Sequence, residues 1–495
     1  MEKFKVEDWR DIDKTNKKDI LYNMIRKIFL LILFLLTFIS VFSQWTSPVD
    51  IWPYSMAYFQ PNAAHSLVSD TLGNVHIAWY DASRDAYGCI KKTRFDGTDW
   101  IYTSSIFEDS FEGTGYYALS WMPTLSVEPD GKCLLVWEDY RTSSFELYGK
   151  YFDNMIWSSQ ITVTNTFDSY TWFPKLYFAD ERHNLVFIDD SSGYFNVYYT
   201  YFDTMFQTKV DITDTNQNCI SPDLFVYPDG EKSVLFTTEF NGSQALYNVR
   251  NSGAGWSDFI KVAELSSNIY YPNIISDGAD EYAIFTSELS GVSDLFISQF
   301  SKTSWSGYTI LSDTRSNIYN PAGVMQNGKV RIVYVSDENQ YGNLYSILYN
   351  PSTKEIEEKT LLASHEHGYI TLPQIVLDSR GDIHVVYIVN DDTPISPTQT
   401  NDIWWVRLPH TKIFSTSKEK PYIASMTYKG YIISFNDEES YNVTVMDKAG
   451  RKIFEKNDVV RQLIITNKEL KRNDIYFMLI ENKNSKYGEK IVWLR

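Results

Sequence analysis

The side chains most able to do chemistry fall into two groups. Asp81, Arg84, Asp139, Arg141 and Asp190 supply charge, and Trp121, Trp172 and Tyr271 supply flat aromatic faces. Asp81 with Arg84 and Asp139 with Arg141 stand in two similar segments, WYDASR and WEDYR. Carboxylates and guanidinium groups recognise hydroxyls and charges through directed hydrogen bonds, while aromatic rings form the apolar wall of a ligand site. Together they suit a saccharide. The same residue types also have a plain packing role, with rings wedged between sheets and acids capping turns. Other chemistries are absent: no Ser-His-Asp order, phosphate loop or paired-cysteine spacing occurs. On a strand, His365-Glu366-His367 would place two imidazoles on one face with too few further ligands, so neither a metal nor a cofactor is expected.

The elements that position these residues are repeats. Pro61, Pro123, Pro174, Pro222, Pro272, Pro321 and Pro373 follow one another at spacings of 62, 51, 48, 50, 49 and 52. Repeats of about 40 to 50 residues are the mark of propeller blades. After each proline comes a short apolar run and then, in all units but the third, an Asp/Asn-Gly turn such as SDTLGN (69–74), EPDGK (128–132) or DSRGD (378–382). These residues tolerate the positive φ of a hairpin. A second mark recurs further on, as Phe95 with Trp100, Phe152 with Trp157, Phe202 with Phe206, Phe300 with Trp305, and Trp256 at the same phase. From opening proline to this ring the first five units count 39, 34, 32, 34 and 33 residues. Four strands per unit are therefore predicted, and seven units make a seven-bladed β-propeller.

The ends predict how the ring closes. The seventh unit offers three strands, ending at DIWWVRL (402–408), and QWTSPVDIW (44–52) reads as a fourth strand without its first three. The Trp45 segment is expected to complete the last blade and cover its open edge. The loop between second and third strands then shares one face with the entry into the next blade. That face carries the candidate residues named above, with Tyr270, Tyr319, Glu288 and Asp337 at matching places.

Composition narrows the function. A net charge of −18 opposes nucleic-acid binding, whose affinity comes from Lys and Arg displacing counterions. From Met24 the chain reads MIRKIFLLILFLLTFISVFSQ, a basic start, an apolar run and a small residue. This is the grammar of a cleaved signal peptide, too short for a membrane span, so contact with a membrane is expected only during export. Cys89, Cys133 and Cys219 are too few for a disulfide scaffold and read as buried small apolar residues.

After a polar stretch the pattern changes to short alternating strands, among them YNVTVMDKAGRKIFE (441–455), ITNKELKRNDIYFMLIE (465–481) and KIVWLR (490–495). This segment resembles the C-terminal sorting domain of type IX secretion cargo from Bacteroidetes-type bacteria. The resemblance implies export across the outer membrane, the secretion machinery as a partner, and a secreted or outer-surface location. It departs from the family where Asn473-Asp474 replace a usual glycine and where the Asn-Pro-rich opening is missing. The predicted layout is an N-terminal extension and signal peptide at 1–43, a propeller at 44–408, a linker at 409–421 and a sorting-type β-sandwich at 422–495. The propeller also distantly resembles sialidases, though the family's Arg-Ile-Pro opening is absent and its ring has six blades. Three functions follow in order: a binding propeller for glycan or protein ligands without catalysis, a sialidase-like glycoside hydrolase, and a structural surface protein without ligand.

Overall fold

The recurring prolines mark a defect that each repeat builds in the same way. In a computed structural model of the chain, the first strand of six units carries a β-bulge. Pairing with the second strand jumps between Trp121 and Thr124, Trp172 and Lys175, Ile220 and Asp223, Tyr270 and Asn273, Tyr319 and Ala322, and Thr371 and Gln374. Each jump contains the periodic proline. A bulge leaves an extra residue outside the ladder, and proline, which has no N–H to donate, is tolerated there. The residue before each of these prolines has positive φ: Met122, Phe173, Ser221, Tyr271, Asn320 and Leu372. Non-glycine residues in this region cost about 1–3 kcal/mol each and persist only where the surrounding structure holds them.

The structure describes residues 45–51, 65–81, 89–101, 120–140, 144–153, 156–166, 169–240, 243–289, 291–312, 316–366, 368–391 and 400–409. Beyond these it describes 422–427, 430–435, 440–447, 452–460, 462–466, 474–481 and 486–493. The chain divides into two compact units at His410/Thr411. No helix occurs among the described residues, so none there is long and apolar enough to cross a membrane.

The first unit is the seven-bladed β-propeller. Its first strands, nearest the axis, are His65–Ser69, Ser120–Val127, Thr171–Ala179, Cys219–Val226, Ile269–Ser276, Ile318–Gln326 and Tyr369–Leu377. The first blade falls out of phase with the sequence reading, because His65 occupies the place of the proline and Pro61 lies outside the described residues. Ser66 pairs with Ala78 as Thr124 pairs with Val136. Measured from His65, Trp100 lies 35 residues on, in line with the other units. The Phe–Trp marks are cross-strand pairs of the third and fourth strands: Phe95 opposite Trp100, Phe152 opposite Trp157, Phe202 opposite Phe206 and Phe300 opposite Trp305. Cys133 and Cys219 are buried free thiols inside strands.

Seven apolar clusters fill the seven gaps between blades. The gap between last and first blades holds Val386, Ile403 and Trp405 against Leu67, Val75, Ile77 and Phe95. The last blade is closed as its ends predict. Val49 and Asp50 pair antiparallel with Trp405 and Trp404. Thr46 N–H donates to the Arg407 carbonyl and Ile51 N–H to the Ile403 carbonyl, both at 2.8 Å. Trp45 packs against the cluster between blades six and seven, where Trp305 and Trp256 sit in their own gaps.

The second unit holds two sheets. One joins Tyr422–Thr427, Gly430–Phe435 and Gln462–Thr466, and the other joins Lys452–Val459, Tyr441–Asp447, Asp474–Glu481 and Lys486–Trp493. Tyr422–Thr427 is a strand the sequence pattern did not suggest.

Ile51 is 2 % exposed and lies within the cluster that joins last blade to first. Ile51→Ala should lower unfolding stability by about 2–4 kcal/mol, the usual cost of emptying a core site. Urea titration followed by tryptophan fluorescence measures it, and an unchanged midpoint would show that this strand does not hold the ring shut.

Candidate functional site

The first strands enclose a central cavity of about 1130 Å³, and the bulged ends of six of them form its mouth. Entry segments and second-to-third-strand loops do share this face. Tyr170 N–H donates to the Asp190 carboxylate at 2.6 Å, and Asn317 N–H donates to that of Asp337 at 2.7 Å. The bulge presents its positive-φ residue to the cavity, so Met122, Phe173, Ser221, Tyr271, Asn320 and Leu372 all line it.

Aromatic rings dominate the mouth. Phe173, Tyr270 and Tyr271 are 37 %, 40 % and 45 % exposed, an unusual state for large rings, and all three line the cavity. Tyr319, at the position of Tyr270, and Tyr170 and Tyr369, two residues earlier in their units, are exposed in the entry segments. Trp172 is half-buried, stacked on Phe195 with centroids 5.2 Å apart and edge-on to Phe145 at 5.8 Å.

The remaining candidates are distributed differently. Asp139 is fully buried and accepts a hydrogen bond from the Trp137 indole at 3.4 Å. Asp190 caps the entry to blade three through Tyr170. Trp121 lies on a described strand opposite Glu138 and Asp81 ends one, but their side chains lie outside the described residues, as do Arg84 and Arg141 entirely. The structure therefore brings Trp172 and Tyr271 to one cavity, whereas Asp139 and Asp190 are not among the residues that line it.

Sequence reasoning missed Glu138. Its side chain is 4 % exposed yet lines the cavity, beside Trp172, Phe173 and Phe145. One carboxyl oxygen, Oε1, accepts the N–H of Phe173 at 2.7 Å. Burial pushes its pKa up to about 8 against the pull of that hydrogen bond. It is therefore a neutral acid at neutral pH, able to donate as well as accept.

A polar collar lies below the mouth, on the residue after each bulge and, in the first blade, on Ser66 at the same register. Ser66 accepts the N–H of Leu125, Thr124 that of Leu176, Asp223 that of Ile274, Asn273 that of Gly323 and Gln374 that of Leu67, at 2.8–3.2 Å. Each bond links one blade to the next, and the last crosses the seam of the ring. Lys175 and Ala322 hold the two remaining places. The signal was present in the sequence, in the column after each periodic proline.

At the opposite end of the blades, Asp378, Asp382 and His384 place ligand-type atoms close together. The group is already satisfied. The Trp405 indole donates to His384 Nδ1 at 3.2 Å, which leaves Nε2–H to face Asp378 at 3.3 Å. Asp378 also accepts from Arg380 Nε and from the N–H groups of Arg380 and Asp382. Burial would raise the Asp378 carboxyl, but these bonds hold it well below the usual carboxylate range. Two guanidinium groups, Arg380 and Arg407, pair with the same acids. A buried ring between filled donors and acceptors suits a structural latch rather than a cation.

No protein-family model matches the chain and no curated protein does. Among solved structures, a polysaccharide lyase of the ulvan lyase type, bound to a GlcA-Rha3S saccharide, is 8 % identical with a TM-score of 0.49, covering 70 % of this chain and 94 % of its own. The Trypanosoma rangeli sialidase is 8 % identical at TM-score 0.41, covering 90 % and 88 %. PorZ, a surface component of the type IX secretion system of Porphyromonas gingivalis, is 12 % identical at 0.40, covering 86 % and 58 %.

The Glu138 carboxyl makes stability pH-dependent with a fixed sign. Folding holds its proton up to about pH 8, whereas the unfolded side chain releases it near 4.5. The folded state thus binds more protons across that window, and stability falls as pH rises through it. Glu138→Gln keeps an acceptor for Phe173 N–H and removes the titration. Urea midpoints of the variant should overtake wild type progressively between these pH values; parallel curves would mean that Glu138 ionises freely.

Proposed function

We propose that the chain is an exported binding propeller that recognises a saccharide across the aromatic mouth of its central cavity. The observation that carries this reading is the set of exposed rings at Phe173, Tyr270 and Tyr271, held toward the cavity by strained bulges. Rings left in water at a cavity mouth carry a standing hydrophobic cost that a bound ligand relieves. Beneath them, Glu138 and Lys175 line the cavity and supply polar groups that sugar hydroxyls need. The apolar run after Met24 supports export, and the strand-and-turn pattern of residues 441–495 supports sorting by the type IX machinery to the cell surface.

Cleavage of the bound saccharide is the second reading, and Glu138 is what favours it. A carboxyl kept protonated near neutral pH is in the state that a general acid requires. The next cavity carboxyl, Asp223, is engaged by Asn273 and Ile274.

A glycan array probed with the full chain tests the first reading. Tyr271→Ala should weaken the strongest signals about fivefold to tenfold, the loss expected for about 1 kcal/mol of ring contact. An array without signal for wild type would end the proposal. Incubating the strongest binder with wild type and Glu138→Gln separates the second reading, since product release by wild type alone would make the protein an enzyme.

A further inference from the structure

The collar is interrupted by a residue whose chemistry prevents it from joining. Ser66, Thr124, Asp223, Asn273 and Gln374 each turn an oxygen to a backbone N–H of the next blade. Lys175 stands in the same column, one residue past Pro174, but an ammonium group only donates and cannot accept an N–H. Its side chain is exposed and lines the cavity. Among the described residues it makes no salt bridge, Asp223 being the acid that feels its charge, and it is the one cation among those lining the cavity.

We propose that Lys175 is the anion-recognising group of the central cavity, taking a carboxylate or a sulfate ester of an acidic saccharide. This rests on the saccharide reading of the mouth and names the ligand's charge. Among the acids lining the cavity, Glu138 is buried and accepts the N–H of Phe173, and Asp223 accepts from Ile274 and Asn273 while feeling the charge of Lys175. Elsewhere the chain repels polyanions, with a net charge of −18. Lys175 is therefore the one ammonium lining the cavity with which an acidic group can form a charge-assisted hydrogen bond, stronger than a neutral one.

Affinity electrophoresis of the full chain in native gels tests this, with alginate as the carboxylate probe, dextran sulfate as the sulfate-ester probe and dextran as the neutral one. Wild type should be retarded more by one acidic polymer than by dextran, and the polymer that retards it identifies the acid. Lys175→Met should weaken that interaction about tenfold or more, as loss of a charge-assisted hydrogen bond implies, and leave dextran binding unchanged. Lys175→Arg should restore most of it. Thermal melts of both variants establish that each is folded. Equal retardation of wild type and Lys175→Met by the acidic polymers overturns the assignment. Binding of dextran without preference for acids overturns it and leaves the saccharide reading standing. Absence of retardation by every polymer overturns both.

Discussion

Everything in the first unit depends on one seam, where the strand Val49–Asp50 lies against Thr400–Leu408. Each blade buries its two faces only by lying between neighbours, so a row of seven sheets would leave two apolar faces and one strand edge open. The ring removes both faces, and the N-terminal strand removes the edge. The seam is long-range: Arg407 N–H donates to the Thr46 hydroxyl, 361 residues away in sequence. Loop-closure entropy grows only with the logarithm of length, so a modest set of contacts suffices to hold such distant ends together. The seam has a second fastening at the other end of the blades. Arg380, aligned by Asp378, reaches across to the Gly73 and Asp96 carbonyls of the first blade.

The bulges connect this architecture to the site. A bulge shifts the alternation of a strand, so residues before and after it present different faces. Before it, Trp172, Tyr270 and Tyr319 stand at the entry face; within it, the positive-φ residues reach into the mouth; after it, the collar oxygens turn to the next blade. One local feature repeated six times thus separates cavity-facing rings from ring-stabilising hydrogen bonds. The strain it stores is concentrated at the mouth, where side chains must be held out of the core and in water.

The sequence disclosed the parts of this that are periodic. Prolines at bulges, Asp/Asn-Gly turns and Phe–Trp hairpin pairs each recur in most blades, and the lone strand pattern of residues 44–52 announced the closing strand. The first blade misled because His65 replaces the proline while Pro61 lies nearby, a substitution invisible without the strand register. The site was legible only in outline. Trp172 and Tyr271, which line the cavity, stood out because the entry segments are aromatic in several units. Glu138 was passed over because acids crowd that turn, and burial, which sets its chemistry, is a tertiary property. Asp139, the next residue, looked equivalent, yet alternation along the strand sends it to the indole of Trp137.

The chemistry is not spread evenly round the ring. Glu138, Phe145, Trp172, Phe173 and Lys175 belong to blades two and three, while Tyr270 and Tyr271 present their rings from blade five, farther round the mouth. A ligand lying across such a mouth meets a hydrogen-bonding and charged corner at one end and a stacking surface at the other. On the saccharide reading, that asymmetry would orient a chain-like ligand, since reversal would set its polar groups against rings and leave Glu138 and Lys175 without partners. Unpaired polar groups in a partly buried cavity cost more than the contacts they replace. On that reading, direction, and not affinity alone, is what the scaffold would gain by placing unlike groups on blades two, three and five.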